Sequence, residues 1–157
     1  MSTPRTQIAK FADVETLLEM MAQFNDIEQI PWTRQAARPA LEKLLVSPQI
    51  GVVGLVFEGD TLRGYFVVTW GYDLEWYGRD AFLTELYLLP EARGRGLGRE
   101  VIALIESVAV ERGARALHLV VRPENEPAVR LYKSAGFGTP PRVLMTKGLK
   151  QDDRGTL

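Results

Sequence analysis

The chain contains no cysteine and a single histidine, His118. The first absence removes disulfides, thiolate metal sites and a cysteine nucleophile together, which closes any route through an acyl-cysteine. The second leaves no paired histidines for an HExxH-type zinc site, and no GxSxG turn offers a serine nucleophile instead. No metal is expected. Long apolar runs are missing as well. The longest, IGVVGLVF, falls far short of the roughly 20 residues a membrane helix needs, and the opening MSTPRTQIAK lacks the apolar centre of a signal peptide. Charge of one sign is also scarce: 19 Lys+Arg stand against 20 Asp+Glu, for a formal net charge of -1. Such a balance gives no general pull toward nucleic acid or an anionic membrane. The expectation is a cytoplasmic protein without nucleic-acid or membrane partners.

What is present describes one ordinary domain. With 157 residues, 46% of them apolar and 25% charged, the chain has the composition of a globular protein and the length to bury about two-thirds of its unfolded surface. We expect a single domain over residues 1–157, with a core from about 6 to 147 and a polar C-terminal tail, QDDRGTL.

Hydrophobic spacing orders the elements. A short strand at Gln7 to Lys10 precedes a helix from about Asp13, where Val14, Leu17, Leu18 and Met21 recur at helical intervals and Asp13 is placed to cap. QFNDIEQIPW reads as a loop, and Thr33 is the N-cap expected for a second helix carrying Ala37, Leu41, Leu44 and Leu45, with Pro39 delaying or bending it. From Ile50 the period changes to that of strands. Glu58-Gly59-Asp60 and Gly78-Arg79-Asp80 are the turn signals of a three-strand meander. After Pro90 a helix carries Val101, Leu104, Ile105 and Val108 and ends near Gly113; ALHLVV is a strand, EPAVRLYKSAG a short helix, and RVLMTKGL a last strand. The order β-α-α-β-β-β-α-β-α-β predicts a mixed α/β (α+β) fold: an antiparallel meander joined to a parallel pair by a strand-helix-strand crossover.

The densest chemical signal is RGRGLG, residues 93 to 98, where a strand gives way to a helix. A tight connection needs one glycine; three leave a backbone that something can approach. The first amides of a helix have no intrahelical partner, and the helix dipole adds positive potential there, so an anion is the expected guest and phosphate the usual one. Arg93, Arg95 and Arg99 add charged donors around the point. A basic, solvated turn is the plain alternative. A P-loop would need GxxxxGK[ST], and no Gly-Lys pair occurs; a Rossmann fingerprint would need a third glycine where Arg99 stands.

LYLLPEARGRGLG resembles the acetyl-CoA signature of the GNAT N-acetyltransferase superfamily, [RQ]xxGx[GA] after a strand and at a helix start, with Arg93, Gly96 and Gly98 on its fixed positions. NEPAVRLYKSAGF is similar to that superfamily's second signature, and the resemblance extends from about residue 6 to 147. It implies that amides from Arg93 through Gly94, Arg95, Gly96, Leu97 and Gly98 to Arg99 hold the coenzyme A pyrophosphate. It also implies a bulge near Leu86, Tyr87 and Leu88, where the pantetheine arm lies alongside like an added strand.

Acetyl transfer to an amine needs a neutral amine, a stabilised oxyanion and a protonated leaving thiolate. Tyr132 is the candidate acid, at the NxxxxxxY spacing from Asn125; a phenol with a pKa near 10 is protonated at neutral pH. Its helix position also suits simple packing, and Asn125 also suits a plain N-cap. Glu85 is the candidate base, acting through water or with its pKa raised by burial, against the alternative of an exposed strand charge. His118, in the middle of an apolar strand, reads as a hydrogen-bonded core residue. Two loops carry the acids and aromatics expected at an amine-binding rim: Asp26, Glu28 and Trp32 in one, Tyr72, Asp73, Glu75 and Trp76 in the other. TWGYDLEWYGRDAFLTELYL is similar to the polyamine and thialysine-acetylating members, except that Thr84 replaces one of their adjacent acids beside Glu85. The implied activity is direct transfer from acetyl-CoA to a primary amine of a small molecule, such as a polyamine, aminoglycoside or amino-acid derivative. Protein N-termini or lysines, or an idle acyl-CoA-binding module, remain open, as does a homodimer through strand edges.

Overall fold

The central strands are buried in continuous runs because helices cover both faces of the sheet they form. The computed structural model describes residues 2–149. Its elements are β1 (Pro4–Ile8), α1 (Val14–Ile27), α2 (Arg34–Leu45), β2 (Gly51–Glu58), β3 (Thr61–Asp73), β4 (Gly78–Leu88), α3 (Leu97–Glu111), β5 (Leu117–Leu119) and α4 (Glu126–Ser134). The five strands lie in the order β1-β2-β3-β4-β5. The first four pair antiparallel, and β5 joins β4 in parallel after the α3 crossover. This is the expected mixed α/β fold up to α4. Among the described residues no helix is long and apolar enough to cross a membrane.

One core, around Leu17, Leu18, Met21, Leu41, Val53, Tyr65 and Tyr87, fills the space under α1 and α2. The other, around Val56, Phe66, Val68, Leu83, Val101 and Ile105, lies under α3. β2 supplies both, which is why Gly51 to Val56 are all buried and read as one apolar run. Gly54 belongs to the packing: a Cβ there would stand 2.2 Å from the Phe66 ring. Each fully buried Leu or Phe contributes about 1.5–3 kcal/mol of transfer free energy.

Several local expectations hold and several do not. Thr33 caps α2, its hydroxyl accepting from Ala36 N–H at 3.2 Å, and the helix runs through Pro39. Asp13 instead accepts from Lys10 N–H at 2.7 Å, closing the 3-10 turn before α1. The β3–β4 connection is made by Leu74–Trp76, ahead of the Gly78-Arg79-Asp80 expected for it. There Asp73 accepts from Glu75 N–H, and Tyr77 takes the left-handed conformation at φ 60 that a glycine was expected to supply. The last expected strand is absent among the described residues: Arg142–Leu149 has no regular structure, and β5 is the sheet's final strand. A strand exists only with a partner to satisfy its backbone, and alternating apolar residues do not specify which one.

Candidate functional site

The glycine turn is built as an open helix start. After β4, Pro90–Ala92 makes one 3-10 turn that buries Ala92, and Gly94 and Gly96 follow at φ 74 and 79. Gly96 is the N-cap of α3 and brings no side chain to its free amides. A Cβ on either glycine would meet nothing within 4 Å, so the space in front of these amides is clear. Gly98 is different: a Cβ there would lie 2.9 Å from Leu131 Cδ2, so its absence lets α4 pack on the first turn of α3. The arginines are partly engaged within the chain. Arg93 Nε donates to Leu88 O at 2.9 Å and its guanidinium lies over Tyr87, 5.5 Å from the ring centroid. Arg95 Nη2 meets Glu58 Oε1 at 2.7 Å, where Arg63 Nε also donates at 2.8 Å, and the Arg95 bond chiefly holds the Glu58 carboxyl below its ordinary pKa. Arg99 is exposed on the first turn of α3.

Beside this turn the sheet splays. β5 pairs with β4 only from Ala81 to Leu83. Leu86, Tyr87 and Leu88 therefore follow the parallel ladder, paired on their other side with Phe66, Tyr65 and Gly64 of β3. The bulge lies not at Leu86 to Leu88 but at Thr84: Val67 faces Glu85, Val68 faces Leu83, and Thr84 is the extra residue. Side-chain parity proves it. Leu83 and Leu86 are three apart yet both serve the core under α3, which a regular strand of period two forbids. The bulge turns Glu85 onto the face of Tyr65 and Tyr87, under α1.

Glu85 is mostly enclosed there, and its carboxylate accepts from Tyr65 Oη at 2.8 Å. Burial raises its pKa; the Tyr65 hydrogen bond opposes that rise without cancelling it. Tyr65 is fully buried, and burial followed by the Glu85 charge keeps its phenol protonated. Tyr87 Oη donates to Gln23 Oε1 of α1. Tyr132, on α4, is half-buried, with Phe137 edge-on at 5.8 Å. Its pKa is raised, first by burial and then by the Glu28 charge, so the phenol keeps its proton beside the end of α1. Asn125 caps α4, its Oδ1 accepting from Ala128 N–H at 3.3 Å.

The two acidic loops take different places. Glu28 stands near enough for Tyr132 to feel its charge, and its carbonyl accepts from Arg122 Nη1 at 3.5 Å. Trp32 packs against the core under α1 and α2, while Asp26 is exposed in the last turn of α1. Asp73, Glu75 and Trp76 share with Tyr132 the lining of a cleft of about 1120 Å³ between β5, α3 and α4. Tyr72 is exposed on the hairpin outside it, and Thr84 is exposed at the bulge.

A family model described as acetyltransferase (GNAT) matches residues 17–137, which contain the glycine turn, the bulge, Glu85 and Tyr132. The chain belongs to the GNAT acetyltransferase family. Mouse (Mus musculus) thialysine N-epsilon-acetyltransferase is 27% identical over 146 residues, 87% of this chain and 85% of the relative. An integron cassette protein from the mobile metagenome of Cole Harbour Salt Marsh superposes with a TM-score of 0.82 at 28% identity, covering 95% of this chain and 93% of the other. Aminoglycoside N-acetyltransferase AAC(6')-Iy, solved in complex with CoA, shares the fold at a TM-score of 0.78 and 17% identity, over 96% and 97% of the two chains. As a GNAT-fold enzyme the protein is an acyltransferase, and acetyl-CoA is the donor typical of its family.

In this acetyltransferase, sequence reasoning missed the groups that hold Glu85 and Tyr87. Tyr65 and Gln23 lie 20 and 64 residues from their partners Glu85 and Tyr87, and only the cross-strand register of β3 on β4 could have pointed to Tyr65. His118 is bonded, its Nε2 3.1 Å from Asp80 Oδ2, but it is not in the core as expected: its side chain is 35% exposed and lines the cleft with Tyr132. With Asp73 these groups bring ligand-type atoms within 4.8 Å of one another, a cluster assembled from three strands that no sequence spacing announces. Its members are bonded internally: Asp80 to His118, and Asp73 to Glu75 N–H.

Proposed function

We propose that this acetyltransferase moves an acetyl group from acetyl-CoA directly to the primary amine of a small molecule. The observation that carries the reading is the open start of α3 beside a β4 edge that β5 leaves beyond Leu83. The clear space before Gly94 and Gly96 fits a phosphate group held by the amides from Arg93 to Arg99. The free edge at Leu86, Tyr87 and Leu88 fits an amide-bearing arm by backbone pairing, and Asn125 lies at the start of α4 to meet it. Arg93 and Arg95 would have to share or leave their present partners to reach the phosphates. Bound there, acetyl-CoA supplies an activated acyl carbon in a thioester.

Glu85 serves as base. A carboxyl with an ordinary pKa is a poor match for an ammonium near 10.4, and the upward shift caused by burial narrows that gap. It accepts the amine proton through water as the C–N bond forms. Tyr132 donates a proton to the sulfur as the C–S bond breaks; its raised pKa keeps that proton in place at neutral pH. The acceptor, as a cation, is drawn by Glu28, Asp73 and Glu75 near Tyr132, with Trp76 in the same cleft, while Asp26, Trp32, Tyr72 and Thr84, expected at this rim, lie outside the cleft. The name of the mouse relative points to an amino-acid-like amine, and that of the structural neighbour to an aminoglycoside. Thr84 in the place of a second acid argues against a polyamine.

Continuous thiol release from acetyl-CoA, read against separate pools of polyamines, aminoglycosides, amino acids and peptide N-termini, tests the proposal. Release with aminoglycosides or amino acids, above a control lacking acceptor, is the expected result. Release with peptides alone, or silence across all pools while acetyl-CoA binds, would overturn the small-molecule assignment.

A further inference from the structure

Among the arginines of the glycine turn, Arg95 is the one held by a carboxylate. Arg93 is held by Leu88 O and the Tyr87 ring, and Arg99 is exposed on the first turn of α3. Arg95 Nη2 instead meets Glu58 Oε1 at 2.7 Å, on the last residue of β2 and 37 residues back in the chain. The two side chains line a cavity of about 260 Å³ together with Ser2, Thr3, Pro4, Leu97 and Glu100, on the β1 side of the turn. In front of Gly94 and Gly96 the space is clear to 4 Å from a Cβ placed on either. Arg95 starts between those glycines and ends on Glu58, so its guanidinium is turned toward β1 and not over the free amides.

A second arginine makes this contact exchangeable. Arg63 Nε, across the β2–β3 turn, donates to the same oxygen, Glu58 Oε1, at 2.8 Å. Two guanidiniums thus share one carboxylate, which leaves a positive charge in excess. The Glu58 side chain is only 11% exposed, and a carboxylate so enclosed is costly to leave without a cation. Arg63 can keep it paired. Arg63 is fixed on β3, where its carbonyl accepts from Leu89 N–H at 2.8 Å, whereas Arg95 sits in a turn between two residues of positive φ. Of the two, Arg95 is the one free to swing.

We propose that Glu58 is a positioning residue of the donor site: it holds Arg95 off the free amides, the phosphates of acetyl-CoA compete with it for that arginine, and Arg63 keeps Glu58 paired once Arg95 has moved. On the coenzyme reading of the glycine turn, on which this rests, binding must break a charge-assisted hydrogen bond, so only molecules with Arg95 released bind at full strength. A released fraction of about one in ten would weaken the apparent affinity about tenfold. Neutralising Glu58 removes the competitor, and the affinity rises. Damage to a merely structural ion pair would not raise it.

Calorimetry with acetyl-CoA on the full chain tests this in the parent, Glu58→Gln, Arg95→Gln and the double variant. Gln keeps an amide oxygen to accept from Arg63, so the β2–β3 corner retains a hydrogen bond. Glu58→Gln should lower the Kd about three- to tenfold. In the Arg95→Gln background the same change should move the Kd by less than about twofold, because the arginine it would release is gone. Arg63→Gln gives an independent reading: Glu58 is then left to Arg95 alone, and acetyl-CoA should bind about threefold more weakly or worse. Unchanged or weakened binding by Glu58→Gln, with the fold intact by circular dichroism, would overturn the proposal, as would unchanged binding by Arg63→Gln. An equal gain from Glu58→Gln in both backgrounds would overturn it too, since Glu58 would then act only as a distant charge on the phosphates. A parent that binds no acetyl-CoA would remove the coenzyme site itself, a failure separate from these.

Discussion

Glu85 owes its character to a single inserted residue. Without Thr84 as the bulge, residue 85 would point into the core under α3, where no partner like Tyr65 is recorded; with it, the carboxyl sits under α1 and is held by a buried phenol. Its pKa is raised in the folded protein, so the folded state keeps the proton to higher pH than the unfolded state, whose pKa is near 4.3. Stability therefore falls as pH rises from the unfolded value through the folded one. Glu85→Gln removes that contribution: measured from pH 4 to pH 8, the urea midpoint of the variant should decline less than that of the parent. The same substitution should flatten the rising limb of the kcat/KM profile and lower the plateau by roughly 10²–10⁴-fold, the usual weight of a positioned base. A profile unchanged in shape would assign the proton transfer to another group. Glu85 was legible from sequence as an acid inside an apolar strand, because that pairing is unusual at any position. Tyr65 was not, because the hydrogen bond between them depends on a register that only the folded sheet possesses.

Among the elements, the glycine turn was the most legible, since its requirements are local. A helix with no capping side chain, entered through two residues of positive φ, can be read from RGRGLG alone. The segments that were not legible depend on distant partners: the bulge was displaced from Leu86–Leu88 to Thr84, the hairpin turn fell on Leu74–Trp76, and RVLMTKGL found no ladder. The turn also permits a controlled test. Gly96→Ala adds only the strain of a side chain at φ 79, about 1–2 kcal/mol, because no atom lies within 4 Å of the new Cβ. Gly96→Asp adds similar strain and a negative charge at the helix start. Calorimetry should find acetyl-CoA affinity reduced at least tenfold more by Asp than by Ala, with similar losses of thermal stability. Equal affinities for the two variants would mean that no phosphate is held at that point.

At the scale of the whole molecule the sheet acts as a partition. Leu18 and Ile105 are both fully buried, but one belongs to the core under α1 and α2 and the other to the core under α3. Glu85 and Tyr65 face the first compartment, while α3, whose start forms the glycine turn, closes the second. A substitution that loosens one side should thus leave the packing of the other unchanged. Leu18→Ala should cost about 2–5 kcal/mol and Ile105→Val about 0.5–1.5 kcal/mol in urea unfolding. Sites without shared partners add, so the double variant should lose the sum to within about 0.5 kcal/mol. A larger discrepancy would show that strain crosses the sheet, and that the Glu85 face cannot be altered without disturbing the turn on the other side. Additivity would have a practical consequence: the surroundings of Tyr65 and Glu85 could be changed by substitution under α1 and α2 while the open start of α3 keeps its geometry.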